Sequence, residues 1–300
     1  MSSHRSRRAA CLGRFLLMCA SVLLGQHRTS SCSNCAEWNQ AQPPFRIFGN
    51  TYYVGTHGLS SVLIVSPAGD VLIDGDLPES APEIAGNIKS LGFRLQDVKL
   101  IVNSHVHFDH AGGIAELQRQ SGARVAASPW SAEVLRNGGV GRGDPQRGTI
   151  TGIAAVKRVR TLHDGERFQV GDTTITAHLT AGHTPGGTSW TWKSCQADLC
   201  RDMVYADSLN PISAPGFKFS GDREYPQALA DFEKSFKFFE TTPCDILITA
   251  HPEFSRVLDR PAARERDVKS DAMVDPGACQ RYADSGRAQL RERLAVEAKK

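Results

Sequence analysis

Three things are missing from this chain of 300 residues. Beyond its first thirty or so residues no apolar run approaches the ~20 residues that a membrane-spanning helix needs, which excludes a polytopic membrane protein. Its Lys and Arg residues are dispersed rather than gathered into a stripe, and the net charge is only +3, so no nucleic-acid partner is expected. Cys32 and Cys35 form a single Cys-x-x-Cys, without the second pair that a zinc ribbon requires or the βαβ setting of a redox motif. No close internal repeat divides the chain. What remains is ordinary for a globular protein: 40% hydrophobic and 22% charged residues, enough to build a large buried core. One domain over residues 45–300 is expected.

The N-terminus reads as a secretory signal peptide over residues 1–31. Arg5, Arg7, Arg8 and Arg14 precede the apolar run Phe15-Leu16-Leu17-Met18-Cys19-Ala20, and small and polar residues follow. Export to the periplasm is expected, with no stable membrane association once the signal is cleaved. Cysteine usage agrees. After removal of Cys11 and Cys19 six cysteines remain, an even number. Cys195 and Cys200 suit a clamp across a hairpin tip, and Cys244 with Cys279 would staple the C-terminal tail to the core; buried free thiols are the alternative.

Periodicity and turn residues divide the chain into two similar halves. Strands are expected at 45–48, 51–54, 61–65 and 71–74, then a helix over 80–91 with Ile84 and Ile88 on one face and Gly92 past its end. A buried strand at 99–103, a helix ending near Gly122, a strand at 124–127 and a helix at 129–135 follow, before a Gly- and Arg-rich loop over 137–148. The second half has strands at 167–170, 173–179, 187–192 and 203–206, a helix over 225–239 with Phe232, Phe236 and Phe239 on one face, and a strand at 245–250. A charged amphipathic helix over 288–300, docked by Leu290 and Leu294, closes the chain. This order suits an α/β sandwich of two mixed sheets with helices outside.

The chemistry sits after the strand at 99–103. His105-x-His107-x-Asp109-His110 packs four potential metal ligands into six residues. On extended backbone i and i+2 side chains point the same way, so His105 and His107 can grip one ion while the turn swings Asp109 and His110 towards a second. Histidines occur on ordinary loops, but four such ligands followed by Gly112-Gly113 seldom gather without a metal. An imidazole-rich set favours zinc, although iron or manganese would accept it. His163 and His178 lie outside any motif and are expected at the surface; His57 sits in a turn, either lining the cleft or idle.

This run resembles the signature of the metallo-β-lactamase superfamily, and so do Gly182-His183-Thr184-Pro185-Gly186-Gly187 and Thr249-Ala250-His251-Pro252. The resemblance implies an αββα sandwich and two zinc ions, one held by His105, His107 and His183, the other by Asp109, His110 and His251. Within the superfamily, Met203-Val204-Tyr205-Ala206-Asp207-Ser208-Leu209-Asn210, Ser213-Ala214-Pro215-Gly216, Thr188-Ser189-Trp190-Thr191-Trp192 and Pro243-Cys244-Asp245-Ile246-Leu247 are similar to class B, subclass 3 β-lactamases. In that subclass a serine replaces a zinc-binding cysteine, and Ser208 fits the position. The implied substrate is a small-molecule β-lactam, its carboxylate held by Ser208 and Asn210, its amide hydrolysed by a metal-bridging hydroxide that Asp109 orients. A glyoxalase-type thioesterase, a lactonase or a phosphodiesterase on the same scaffold is the alternative, with Asp207 read as an aspartate bridging the metals. A binding module with a dead metal site is another, which the complete ligand set opposes. His57 stands where some relatives carry a cysteine, which leaves the partner of Cys32 or Cys35 open.

Overall fold

The computed structural model describes Met1, residues 32–260 and residues 271–299. Except for Met1, the expected signal segment lies outside the described residues. Short helix α1 (Cys35–Trp38) leads into a seven-stranded sheet whose strands lie in chain order: β1 (Phe45–Phe48), β2 (Thr51–Tyr53), β3 (Val62–Ile64), β4 (Asp70–Ile73), β5 (Val98–Val102), β6 (Arg124–Ala127) and β7 (Val159–Thr161). The first four pair antiparallel as hairpins; β4 to β7 pair in parallel through helical crossovers. A second sheet has the order β12 (Ile246–Thr249), β11 (Leu199–Ala206), β10 (Thr188–Gln196), β9 (Thr173–Leu179), β8 (Arg167–Val170).

Both faces of each sheet are covered, so the central strands read as nearly unbroken apolar runs. In β4, Val71 and Ile73 face the other sheet and join Tyr53, Leu100, Val102, Trp190, Trp192, Tyr205 and Ile248 in one buried layer. Leu72 points the opposite way, into a second layer with Ile84 and Ile88 of α2 (Ala81–Ser90) and Ile114 and Leu117 of α4 (Ile114–Ser121). On the far side, Val204, Ala206 and Leu247 pack under Phe232, Phe236 and Phe239 of α6 (Ala228–Thr241) and Leu290 of the C-terminal helix α8 (Ala278–Glu297). This is the αββα sandwich, and each buried Leu, Ile or Phe adds ~1.5–3 kcal/mol to it.

Several expectations need correction. Helix α8 begins at Ala278, ten residues before the expected start at 288. Gly286 interrupts the sequence pattern there, but it lets the helix pack closely on the core: a Cβ at that position would lie 2.8 Å from Leu209 Cβ and 3.0 Å from Phe236 Cε1. The helix at 225–239 starts instead at Ala228, because the Asp222 carboxylate accepts the Glu224 and Tyr225 backbone N–H groups and holds them in a turn. Strand β7 was not anticipated; three residues with one buried side chain are too few to show alternation. His178 is half-buried rather than superficial, its ring 4.5 Å from Phe238 and its Nε2 2.9 Å from Thr191 Oγ1, while His163 is exposed.

Disulfides join Cys195 to Cys200 across the β10–β11 tip, Cys244 to Cys279, and Cys32 to Cys35. The 35 residues closed by Cys244–Cys279 tie α8 to the start of β12. Restricting a loop of that length in the unfolded chain stabilises the fold by ~3–4 kcal/mol. Cys279→Ser is therefore expected to lower the melting temperature by roughly 10 °C in calorimetry. A shift under about 2 °C would show that packing alone anchors α8.

Candidate metal centre

Two buried aspartates follow β4: Asp74 pins the loop after β5 from below, and Asp76 ties the same turn to the segment between β2 and β3. Asp74 and Asp76 adopt φ of 63° and 52°, a left-handed conformation that Asp tolerates better than most residues. Asp74 accepts hydrogen bonds from Ser104 N and Ser104 Oγ, both at 2.6 Å, and from Tyr205 OH at 2.8 Å. Asp76 accepts from Thr56 N at 3.1 Å and Ser61 Oγ at 2.8 Å. The chain then leaves His107 extended and turns at once into α3 (Phe108–Ala111), which carries Asp109 and His110 round to the same side.

The six residues expected to act together do converge. Ring centroids of His105, His107 and His183 lie 4.6, 4.8 and 4.9 Å apart, and His110 lies 4.8 Å from His251. One donor atom each from His105, His107 and His183 falls within 4.8 Å of the others, as do donor atoms of His105, Asp109 and His110. Asp109 Oδ2 is 3.4 Å from His110 Nε2 and 3.5 Å from His251 Nε2.

Outward nitrogens have acceptors. His105 Nδ1 meets Asp207 Oδ1 at 2.7 Å, His183 Nδ1 the Asn210 carbonyl at 2.6 Å, and His251 Nδ1 the Gly58 carbonyl at 3.2 Å. His107 is held the other way round, with Nε2 at 3.0 and 3.1 Å from the Asp144 carboxylate. With N–H groups donating outwards, lone pairs are left facing inwards. His107 Nδ1 and His183 Nε2 stand 3.3 Å apart, and His105 Nε2 is buried without a hydrogen-bond partner; His110 is buried without one too, its Nε2 facing Asp109 Oδ2. Unpaired buried acceptors converging in this way are costly unless a cation lies between them, so the donor set fits a divalent metal.

The electrostatics agree. Burial and the neighbouring imidazoles keep His105 well below its ordinary pKa, and burial is the main cause lowering His110 to about 3 and His183 to about 4. Burial opposes charge on His107 and His251 too, but the carboxylates of Asp144 and Asp109 outweigh it and raise both. Burial would also raise Asp109, yet His110 and His251 hold it far below the usual carboxylate range. A pH dependence follows for the metal-free protein. In the unfolded chain His110 and His183 bind protons near ~6.5; folded, they do so only near 3 and 4. Unfolding therefore takes up protons, and stability falls as pH drops through 6.5 and continues to fall towards 4. The raised His107 and His251 rings act in the opposite sense. The urea midpoint of metal-free protein should be lower at pH 5.0 than at pH 7.5; an equal or higher value would contradict the neutral-imidazole arrangement.

The centre lies at the floor of a cleft of about 770 Å³ whose walls include Trp38, His57, Gln146, Ile150, Ile212 and Phe254. Ser208 and Asn210 also line it, with Asn210 N donating to Ser208 Oγ at 3.2 Å. Asp207, which the sequence allowed as a metal bridge, instead stands behind His105 on its Nδ1. Sequence reasoning did not identify Asp74, Asp144 or the Asn210 carbonyl. For Asp144 a faint signal exists, an acidic residue in an otherwise Gly- and Arg-rich loop; the others carry none.

A family model described as the metallo-β-lactamase superfamily matches residues 53–251. Among solved structures, the Rm3 metallo-β-lactamase is 57% identical, with a TM-score of 0.87 and coverage of 89% of this chain and 99% of that one. MEM-A1, a subclass B3 metallo-β-lactamase isolated from a soil metagenome library, is 50% identical, with a TM-score of 0.85 over 87% and 99% of the two chains. A hydroxyacylglutathione hydrolase of Rhodopseudomonas palustris is 31% identical over 144 residues, which are 48% of this chain and 47% of that protein. The chain thus spans about half the length of the curated relatives it matches.

Proposed function

This chain belongs to the metallo-β-lactamase superfamily, and we propose that it is a subclass B3 enzyme that hydrolyses the amide bond of penicillins, cephalosporins and carbapenems. One observation carries the reading: similarity to the β-lactamase structures runs over almost their whole length, whereas similarity to the hydroxyacylglutathione hydrolases covers about half of theirs. Asp207 supports it, since a carboxylate oxygen engaged with His105 Nδ1 is turned from the bridging role a thioesterase, lactonase or phosphodiesterase would give it. The proposed ligands are His105, His107 and His183 for one zinc ion and Asp109, His110 and His251 for a second. Export to the periplasm agrees with three disulfides, and no helix among the described residues is long and apolar enough to cross a membrane. Residues 45–300 are taken as one domain, because both sheets share a single inner apolar layer.

Bound divalent ions would supply Lewis acidity and lower the pKa of water towards ~7. The chain's own groups do the rest. Asp109, kept ionised by His110 and His251, has its side chain about 10% exposed, where it can accept a proton from water and return it to the leaving ring nitrogen. Ser208 Oγ and the Asn210 side chain can hydrogen-bond the substrate carboxylate. Trp38, Ile150, Ile212 and Phe254 give the cleft apolar walls that displace water around the reacting amide.

Incubating the purified protein with a penicillin, a cephalosporin, a carbapenem, a thioester and an acyl-homoserine lactone tests the reading. Turnover of the three β-lactams, abolished by a chelator and accompanied by about two zinc ions per chain, is expected. Turnover of the thioester or lactone alone would overturn it, and protein that takes up no zinc on supplementation and is inert towards all five would favour a binding module.

A further inference from the structure

Asp144 is buried, its side chain about 1% exposed, and its ion-pair partner is His107, 37 residues earlier in the chain. Both carboxylate oxygens lie within hydrogen-bond distance of His107 Nε2, at 3.1 and 3.0 Å. Oδ1 also accepts the Gln146 backbone N–H at 2.8 Å, closing an Asx turn. A turn of that kind is served equally well by Asn, so it does not account for a buried carboxylate.

The loop that presents Asp144 is held on three sides. Glu224 accepts from Arg142 Nε at 3.1 Å and from Gly143 N at 3.2 Å, and Trp130 Nε1 donates to the Arg142 carbonyl at 2.8 Å. Gly143, at φ of 81°, fits because a Cβ there would stand 2.9 Å from the Glu224 carbonyl. On the third side Ala214 N donates to the Pro145 carbonyl at 2.8 Å. Four residues before Ala214, the Asn210 carbonyl holds His183 Nδ1. The outward nitrogens of His107 and His183 are therefore gripped by two segments that are themselves bonded to each other. The same segments carry Gln146, Ile150 and Ile212 into the cleft wall.

We propose that Asp144 is a positioning residue for the metal centre: by accepting the His107 Nε2–H it fixes the tautomer that turns Nδ1 towards His183, and it ties ion binding to the cleft wall formed by residues 141–151. This rests on His107 being a metal ligand. A carboxylate behind a ligating imidazole both orients the ring and strengthens it as a donor, and removing such a partner costs ~10–100-fold in metal affinity.

The test uses full-length mature protein with Asp144→Asn and Asp144→Ala, titrated with zinc against a chromophoric chelator, and 15N NMR of the histidine rings. Asp144→Asn keeps an oxygen for the Asx turn and for His107 Nε2–H but loses the charge, so it separates the positioning role from a loop role; it also carries the test if Asp144→Ala does not fold. The expected result is zinc affinity about 10-fold weaker in Asp144→Asn and up to ~100-fold weaker in Asp144→Ala, with His107 as the Nε2–H tautomer in wild type and in Asp144→Asn. Folded Asp144→Asn binding zinc within twofold of wild type, or a wild-type His107 protonated on Nδ1, would overturn the proposal. Wild-type protein that takes up no zinc at all would instead bring down the reading of the centre on which it rests.

Discussion

Asp109→Ala is expected to reduce carbapenem hydrolysis by ~10³-fold or more. Two losses combine. Asp109 is the only carboxylate in the proposed ligand set, and its Oδ2 stands 3.4 and 3.5 Å from the Nε2 atoms of His110 and His251; without it, the remaining five ligands are all imidazoles, with no anion within the set to offset a divalent charge. Proton transfer by a positioned side chain contributes a further ~10²–10⁴-fold. His183→Ala should fall in the same direction, since metal-supplied charge stabilisation of several kcal/mol corresponds to ~10³-fold. Turnover at saturating substrate, measured beside bound metal, checks both. Either variant hydrolysing a carbapenem at the wild-type rate would remove its residue from the site.

Stripping the metal should abolish activity and lower the melting temperature by roughly 10 °C, both restored by adding zinc. The argument starts from the inward lone pairs. His107 Nδ1 and His183 Nε2 face one another at 3.3 Å, and His105 Nε2 has no hydrogen-bond partner. A ligand that binds only the folded state at ~1,000 times its dissociation constant stabilises it by about 4 kcal/mol, and for a domain of this size each kcal/mol moves the midpoint by ~2–4 °C. Calorimetry of dialysed and zinc-restored protein gives the comparison. Identical melting curves, with hydrolysis intact in chelator, would mean that these imidazoles hold no catalytic ion.

The proposed ligand set is legible in the sequence because its pattern is locally encoded. His105 and His107 share a face through the period-two geometry of extended chain, the turn into α3 supplies Asp109 and His110, and His183 and His251 stand in short motifs that the resemblance picks out. Most strands and helices were legible for a similar reason, as burial on a regular element repeats with that element's period. Where the period was too short or was interrupted, legibility failed: β7 has three residues, and Gly286 hides the first half of α8.

The residues behind the ligands followed no such pattern. Asp207 meets His105 from 102 positions away, Asp144 meets His107 from 37, Asp74 meets Ser104 from 30, and the Asn210 carbonyl meets His183 from 27. Each is a polar contact between one pair of residues on separate segments, with neither repeat nor fixed spacing to announce it. Local backbone geometry can select which side chains face a metal; which nitrogen of each ring faces it depends on what folding has brought up against the other side.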